Sequence, residues 1–286
     1  MQELVRFSKH TLFLPPEHET DRPLLAAIAG SNRTLLVDAG NSPKHAELFL
    51  KQLQTLDIQG DLLVLTHHDW DHVFGLGTFK MPVIAHSSTR DEIKKMQLLS
   101  WTDAALEQRV KEKSQTSFSA ENIKRELGVE RDVTLTLPEI TFATRMMVDL
   151  GGITCWIEHV GGDHASDSTV VYIPEEKVLF VGDAMYANTM DWSYTTEETL
   201  KLVQKLEQYD VERCFLSHHD TPLTKAEYQH ALFVLKATAT IVQELRSGKP
   251  AIAQELSLRF KRPLSEDELE VIDFFLNGLH GEKGHV

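Results

Sequence analysis

Two cysteines in 286 residues, Cys155 and Cys214, with no C-x-x-C spacing, leave no disulfide framework and no thiolate metal site to build on. Each lies in an apolar, strand-like stretch, where a small buried thiol is the expected role. Long apolar runs are missing too. No stretch is long enough to span a bilayer, and Met1-Gln2-Glu3-Leu4-Val5-Arg6 lacks the charged-then-apolar order of a signal peptide, so the chain is expected to be cytoplasmic with no membrane partner. Positive charge is also short. A net charge of -14 and a sequence pI near 5.4 argue against nucleic acid as partner, because that binding is driven by lysine and arginine releasing counterions from phosphate.

What the chain has instead is a dense run of metal-capable side chains. Thr66-His67-His68-Asp69-Trp70-Asp71-His72 follows the apolar strand Leu62-Leu63-Val64-Leu65. Imidazole and carboxylate bind zinc, iron and manganese, and a loop leaving a strand can aim several of them at one point. More such groups recur downstream, each after an apolar strand: Gly161-Gly162-Asp163-His164, Gly182-Asp183 and Ser217-His218-His219-Asp220-Thr221-Pro222.

Around these loops strands and helices alternate. Arg6 to Leu14 reads as a strand, and Leu24 to Ala29 with Thr34 to Asp38 reads as a hairpin about Gly30-Ser31-Asn32-Arg33. Ser42 as N-cap and Pro43 at the first helical position open a helix towards Leu56. Pro82 to His86 reads as a strand, and residues 87–127, rich in Lys, Glu, Gln and Leu, as two or more helices. Thr141 to Val148 with Ile153 to Val160, and Thr169 to Ile173 with Lys177 to Val181, read as hairpins. Thr195-x-x-Glu198 opens a helix to Tyr209, and Arg213 to Leu216 is a further strand. The second half thus repeats the first. Beyond Pro222, capping boxes at Thr224-x-x-Glu227 and Ser265-x-x-Glu268 introduce helices over Tyr228 to Leu245 and Leu269 to Leu279, with Gly248-Lys249-Pro250 as a break. This tail either packs on the main domain or makes a homodimer contact. The pattern alone says mixed α and β.

The run T-H-x-[HDE]-x-D-H after a buried strand, with the other three loops in order, resembles the metallo-β-lactamase superfamily in its H-x-D-x-D-H variant; Asp69 stands where most members carry a second histidine. The resemblance implies an αββα sandwich over residues 1–222 with a helical insertion at about 87–127 walling the site, and a C-terminal helical extension over 223–286. It implies two divalent ions, zinc first and iron or manganese as alternatives. One would be held by His67, Asp69 and His164, the other by Asp71, His72 and His219, with Asp183 between them; Asp38 would organise the loop from behind. His219 is chosen over His218 because a proline often stands three residues after the ligand, and His159 is the substitute for His164. His68 and His86 are expected to do nothing chemical, Trp70 and Phe74 to pack, and Met146-Met147 to have no role.

A hydroxide bridging two such ions would attack an ester, lactone, thioester or amide of a small molecule. Asp71 would orient it and shuttle its proton. Tyr186, in the run Asp183-Ala184-Met185-Tyr186, matches a D-A-x-Y tyrosine of acyl-homoserine-lactone lactonases that lies beside the substrate carbonyl. The metal loop is also similar to that of glyoxalase II, but the last loop lacks that family's G-H-E-Y-T character. A carboxylate at position 69 also resembles the flavodiiron branch, which implies the alternative of a diiron oxygen reductase or sensor.

Overall fold

The computed structural model describes residues 2–131 and 133–282; Met1, Asp132 and residues 283–286, the last four of the expected extension, lie outside the described residues. Its first sheet runs β1 (Val5–Arg6), β2 (Thr11–Leu14), β3 (Leu25–Ala29), β4 (Thr34–Val37), β5 (Leu62–Val64), β6 (Val83–His86) and β7 (Ile140–Phe142), paired in that order. The first four strands pair antiparallel and the rest parallel. The second sheet takes β8 (Arg145–Asp149), β9 (Thr154–His159), β10 (Thr169–Ile173), β11 (Val178–Gly182), β12 (Arg213–Leu216) and β13 (Leu223–Thr224), again in chain order across the sheet. In both sheets hairpins lead, through a helix, into a parallel pair: β4 to β5 by α1 (Pro43–Thr55), and β11 to β12 by α6 (Thr196–Leu206). That is the internal repeat seen in the sequence.

Strand alternation assigns each side chain to a layer. Leu35 and Val37 face the second sheet, where they meet Ile157, Val171, Phe180 and Phe215, while Leu36 between them faces helices. Likewise Phe180 points between the sheets, and Leu179 and Val181 point out onto α6. The outer face of the first sheet is covered by α1, by the short α2 (Trp70–Val73), and by α3 (Ser87–Met96), α4 (Asp103–Lys111) and α5 (Ser117–Leu127), through Phe49, Leu53, Ile93, Leu106 and Ile123. The outer face of the second sheet is covered by α6, α7 (Lys225–Leu245), α8 (Lys249–Phe260) and α9 (Glu266–Glu282), through Leu202, Val203, Ile241, Ile252 and Phe275. The result is the αββα sandwich. Among the described residues no helix is long and apolar enough to cross a membrane. Both cysteines are buried and unpaired.

Several elements depart from the sequence reading. Arg6 to Leu14 is two strands, because a turn at residues 7–10 closes with Phe7 and Ser8 donating to the Thr11 carbonyl. Thr141 to Val148 is also two, and they belong to different sheets: β7 pairs with β6, and β8 with β9. The chain crosses between the sheets at Ala143 and Thr144. Gly248-Lys249-Pro250 does not merely break the tail; it starts α8, with Gly248 as N-cap and the proline in the first turn. Helix α6 ends at Leu206 rather than Tyr209.

Helix starts follow their caps. Ser42 accepts from the His45 N–H, Thr224 and Glu227 form a reciprocal capping box, and so do Ser265 and Glu268. Glu268 is only 5 % exposed and takes the Arg262 guanidinium at 2.5 Å. The Arg262 hydrogen bonds outweigh burial and hold its carboxyl down at about 2. A depressed folded pKa stabilises above the unfolded value and loses that contribution as pH falls through the folded one. Glu268→Gln is therefore expected to lower stability by about 1.5–3 kcal/mol at neutral pH. The gap from the wild type should close between the ordinary carboxyl value of 4.5 and about 2, in urea melts recorded across that range.

Candidate metal centre

Four loops, all at strand ends, bring the site together where the two sheets meet. Residues 66–72 leave β5, Gly161 to His164 leave β9, Asp183 follows β11, and His218 follows β12. Two glycines let the backbone approach closely enough. Gly75 lies where a Cβ would fall 2.0 Å from the Ala39 carbonyl oxygen, so α2 sits directly on the loop after β4. Gly182 takes φ +56°, with its Cβ position 2.7 Å from that of Thr66, so β11 can end beneath the metal-capable loop.

Asp183 Oδ2 is the hub. It lies 3.3 Å from His72 Nε2, 3.4 Å from His164 Nε2, 3.4 Å from His218 Nε2 and 3.8 Å from His67 Nε2. Around it stand two sets whose ligand-capable atoms fall within 4.8 Å of one another: His67, Asp69 and His164 in one, and Asp71, His72, Asp183 and His218 in the other. The first set is the expected one. In the second, His218 stands where His219 is expected. A turn closed by the His219 N–H on the Leu216 carbonyl sends the His218 imidazole inward, with Nε2 3.3 Å from Asp71 Oδ2, and leaves His219 exposed at the rim. A proline three residues on sets no direction for a side chain; the turn does.

The four histidines share one orientation. Each turns Nδ1 to a protein acceptor and Nε2 to the cluster. His72 Nδ1 donates to Asp38 Oδ2 at 2.8 Å, and His164 Nδ1 to the Ala187 carbonyl at 3.2 Å. His67 Nδ1 meets Thr66 Oγ1 at 3.0 Å, and His218 Nδ1 lies 3.4 Å from Asp21 Oδ1. A donor role at Nδ1 leaves the Nε2 lone pair free to bind a cation. Asp38 has a left-handed backbone, φ 62°, and also accepts from the Thr66 N–H and hydroxyl at 2.7 and 2.8 Å, so one carboxylate fixes the start and the end of the loop. Asp38→Ala is expected to weaken metal binding about 10–100-fold, read by titration with a competing chelator.

The Nε2 atoms of His67, His72 and His164 and Asp183 Oδ1 are buried and have no hydrogen-bond partner. Buried lone pairs of this kind are costly unless something binds them, and imidazole nitrogens with carboxylate oxygens in two adjoining sets suit two divalent ions. Burial pushes the Asp183 carboxyl up, but the neighbouring imidazoles of His218 and His72, by their field when protonated and by hydrogen bonding, outweigh it and hold it well below the usual range. Asp71 is likewise held down, by His72 and His218 against burial, and Asp69 by His164 and His67.

Tyr186 reaches the same centre, with its ring 6.2 Å from those of His164 and His218 and its buried hydroxyl unpartnered. Burial, with Asp183 beside it, pushes that hydroxyl well above its ordinary pKa, so it stays a donor. His68 lies outside both sets. It bonds Asp167 at 2.9 Å and places Nε2 3.7 Å from Asp69 Oδ1. His159 bonds the Ser166 carbonyl and stacks on His86 at 3.9 Å, outside both sets. Trp70, Phe74 and Trp101 pack edge to face, as expected of the first two.

Asp21 was not legible. It sits in a left-handed turn, φ 60°, on the loop between β2 and β3, and burial followed by the field of Asp71 pushes its carboxyl up to about 7. What aims it is distant in sequence: Glu126 of α5 takes Arg22 at 2.7 Å and Thr20 and Ser42 at 2.5 Å each. Locally the loop is closed by the Glu17–Arg22 bridge and by Glu17 accepting from the Glu19 N–H at 2.7 Å.

The sandwich and its loop order have clear relatives. The family model described as Metallo-beta-lactamase superfamily matches residues 25–218. Among solved structures, a metallo-beta-lactamase from Pontibacter korlensis is similar at TM-score 0.59 and 19% identity, covering 82% of this chain and 99% of that one. The sec-alkylsulfatase Pisa1 from Pseudomonas sp. is similar at TM-score 0.64 and 15% identity, over 91% of this chain and 44% of that one. The DIM-1 metallo-beta-lactamase is similar at TM-score 0.56 and 12% identity, over 82% and 97%. No curated protein matches the chain. Such low identities carry the fold alone, whereas the family match spans more than half of the sequence and three of the four loops completely, ending on the His218 of the fourth. The chain belongs to the metallo-β-lactamase superfamily.

Proposed function

We propose that this chain is a metal-dependent hydrolase that cleaves an ester, lactone, thioester or amide of a small molecule. The observation that carries the reading is the set of buried, unpartnered Nε2 atoms gathered about one oxygen of Asp183. His67, Asp69 and His164 would hold one divalent ion and Asp71, His72 and His218 the other, with Asp183 shared. Two zinc ions there would supply an activated solvent nucleophile and a Lewis acid for the carbonyl.

The remaining work falls to side chains. Asp71, kept ionised by the imidazoles of His72 and His218, is the proton acceptor facing the centre. Tyr186 keeps its proton and has a free hydroxyl to donate to the carbonyl oxygen. Asp38 and Thr66 keep the loop in register while charge moves above it.

A second reading has one observation in its favour: three carboxylates, Asp69, Asp71 and Asp183, belong to the two sets. Hard oxygen donors suit iron, and an oxygen-reactive diiron centre follows. Elemental analysis of protein purified without added metal, with a visible spectrum under oxygen and a panel of lactones, thioesters, phosphodiesters and a chromogenic β-lactam, separates the two. Colourless zinc protein that hydrolyses one member supports the hydrolase; iron with an oxo-bridged absorption band and no hydrolysis ends it.

A further inference from the structure

Above Asp69, Asp71, Asp183 and His218 opens a cavity of about 900 Å³. Its lining includes the turn from α4 into α5, with Phe118, the segment 187–194, with Met190 and Trp192, and Phe274 of α9. Phe118 is 56% exposed, Met190 45% and Trp192 53%, three large apolar side chains around one opening. Trp192 is held there. Trp192 has φ 52°, a left-handed backbone that bulky residues avoid, and it is kept by paired backbone hydrogen bonds between Asn188 and Ser193, by Asn277 donating to its carbonyl at 3.0 Å, and by its ring stacked on Phe274.

Charge narrows the choice. Beyond the Asp and His cluster, the mouth carries Asp191 and Glu270 against the ammonium of Lys113, in a chain of net charge -14. An anionic tail gains little in such a field. We propose that this apolar collar receives a bulky hydrocarbon group, a medium-length chain or a ring system, of an uncharged substrate whose reacting bond lies over Asp183. The inference rests on the reading of that cluster as the reaction centre. Phe118, Met190, Trp192 and Phe274 are its specificity-determining residues, and they contact the part of the molecule that does not react.

Binding tests this apart from turnover. Zinc-loaded protein is titrated calorimetrically with N-methyloctanamide, with N-methylacetamide, and with the octanoyl-length amide that ends in a carboxylate at its far carbon. The neutral long amide is expected to bind at least tenfold more tightly than either of the others. Phe118→Ala and Trp192→Ala, both at exposed positions and checked by circular dichroism, should each remove most of that preference while N-methylacetamide is unaffected. Equal affinity for the short and long amides, an acid-ended chain binding as well as the neutral one, or a preference that survives both substitutions overturns the proposal. Selective binding without hydrolysis of any panel substrate counts against the proposed reaction and leaves the collar standing.

Discussion

Asp183→Ala is expected to lower hydrolysis by at least ~10³-fold and to leave the purified protein short of its second ion. The reason is the position of one oxygen. Asp183 Oδ2 lies within 3.8 Å of Nε2 on all four clustered histidines, so its loss removes a ligand from the set with Asp71, His72 and His218, takes away the oxygen that His67 and His164 of the other set also face, and leaves four imidazoles facing each other with less negative charge between them. Asp183→Asn keeps the volume and serves as the control for packing. The paired comparison in the last loop is equally sharp. His218→Ala should lose one ion, whereas His219→Ala, at an exposed rim position, should retain two after dialysis and elemental analysis. Full metal content in His218→Ala with depletion in His219→Ala would reverse the assignment.

Chelation is the second large effect. Stripping both ions with a strong chelator is expected to cost about 8 kcal/mol of stability, the mass-action value of about 4 kcal/mol for each of two ligands held near a thousandfold above their dissociation constants. For a chain of this size that is on the order of 10 °C in melting temperature. The loss is large because the ligands are interior. His67, His72, Asp71 and Asp183 are all buried, and their imidazole nitrogens and carboxylate oxygens stand 3.1–3.8 Å apart, where an ion would bind their lone pairs. Re-addition of zinc should restore the melting temperature, and an unchanged melt on chelation would mean that the pocket holds no structural charge deficit.

Much of this was written in the sequence where local chemistry decides the outcome. Ser42-Pro43, Thr224-x-x-Glu227 and Ser265-x-x-Glu268 start helices because a side chain there meets an orphan N–H, whatever the rest of the chain does. The metal-capable loops could be read because each follows an apolar strand. What escaped were facts settled by distant contacts. Thr141 to Val148 has no glycine or proline to mark a break at Ala143 and Thr144, and the local sequence says nothing about which sheet receives each half. Pro250 ends one helix or starts another with the same chemistry, and only the packing of Ile252 and Leu256 reveals the second outcome. His218 and His219 differ in no intrinsic property; a backbone turn separates them. Asp21 enters the site because Glu126, more than a hundred residues away, clamps its loop.

The contact of α9 with the segment 187–194 carries a last implication. Gly278 is pressed so tightly on Tyr194 that a methyl group there would fall 2.1 Å from its carbonyl oxygen, and Asn277 grips the neighbouring turn. The helix that shapes the mouth lies beyond the stretch shared with the superfamily, whereas the residues that would grip cations lie inside it. Of the four collar residues Phe274 alone lies beyond that stretch, so exchanging the carboxy-terminal helices between relatives would reshape one side of the mouth and leave Phe118, Met190, Trp192 and the cation-gripping residues in place.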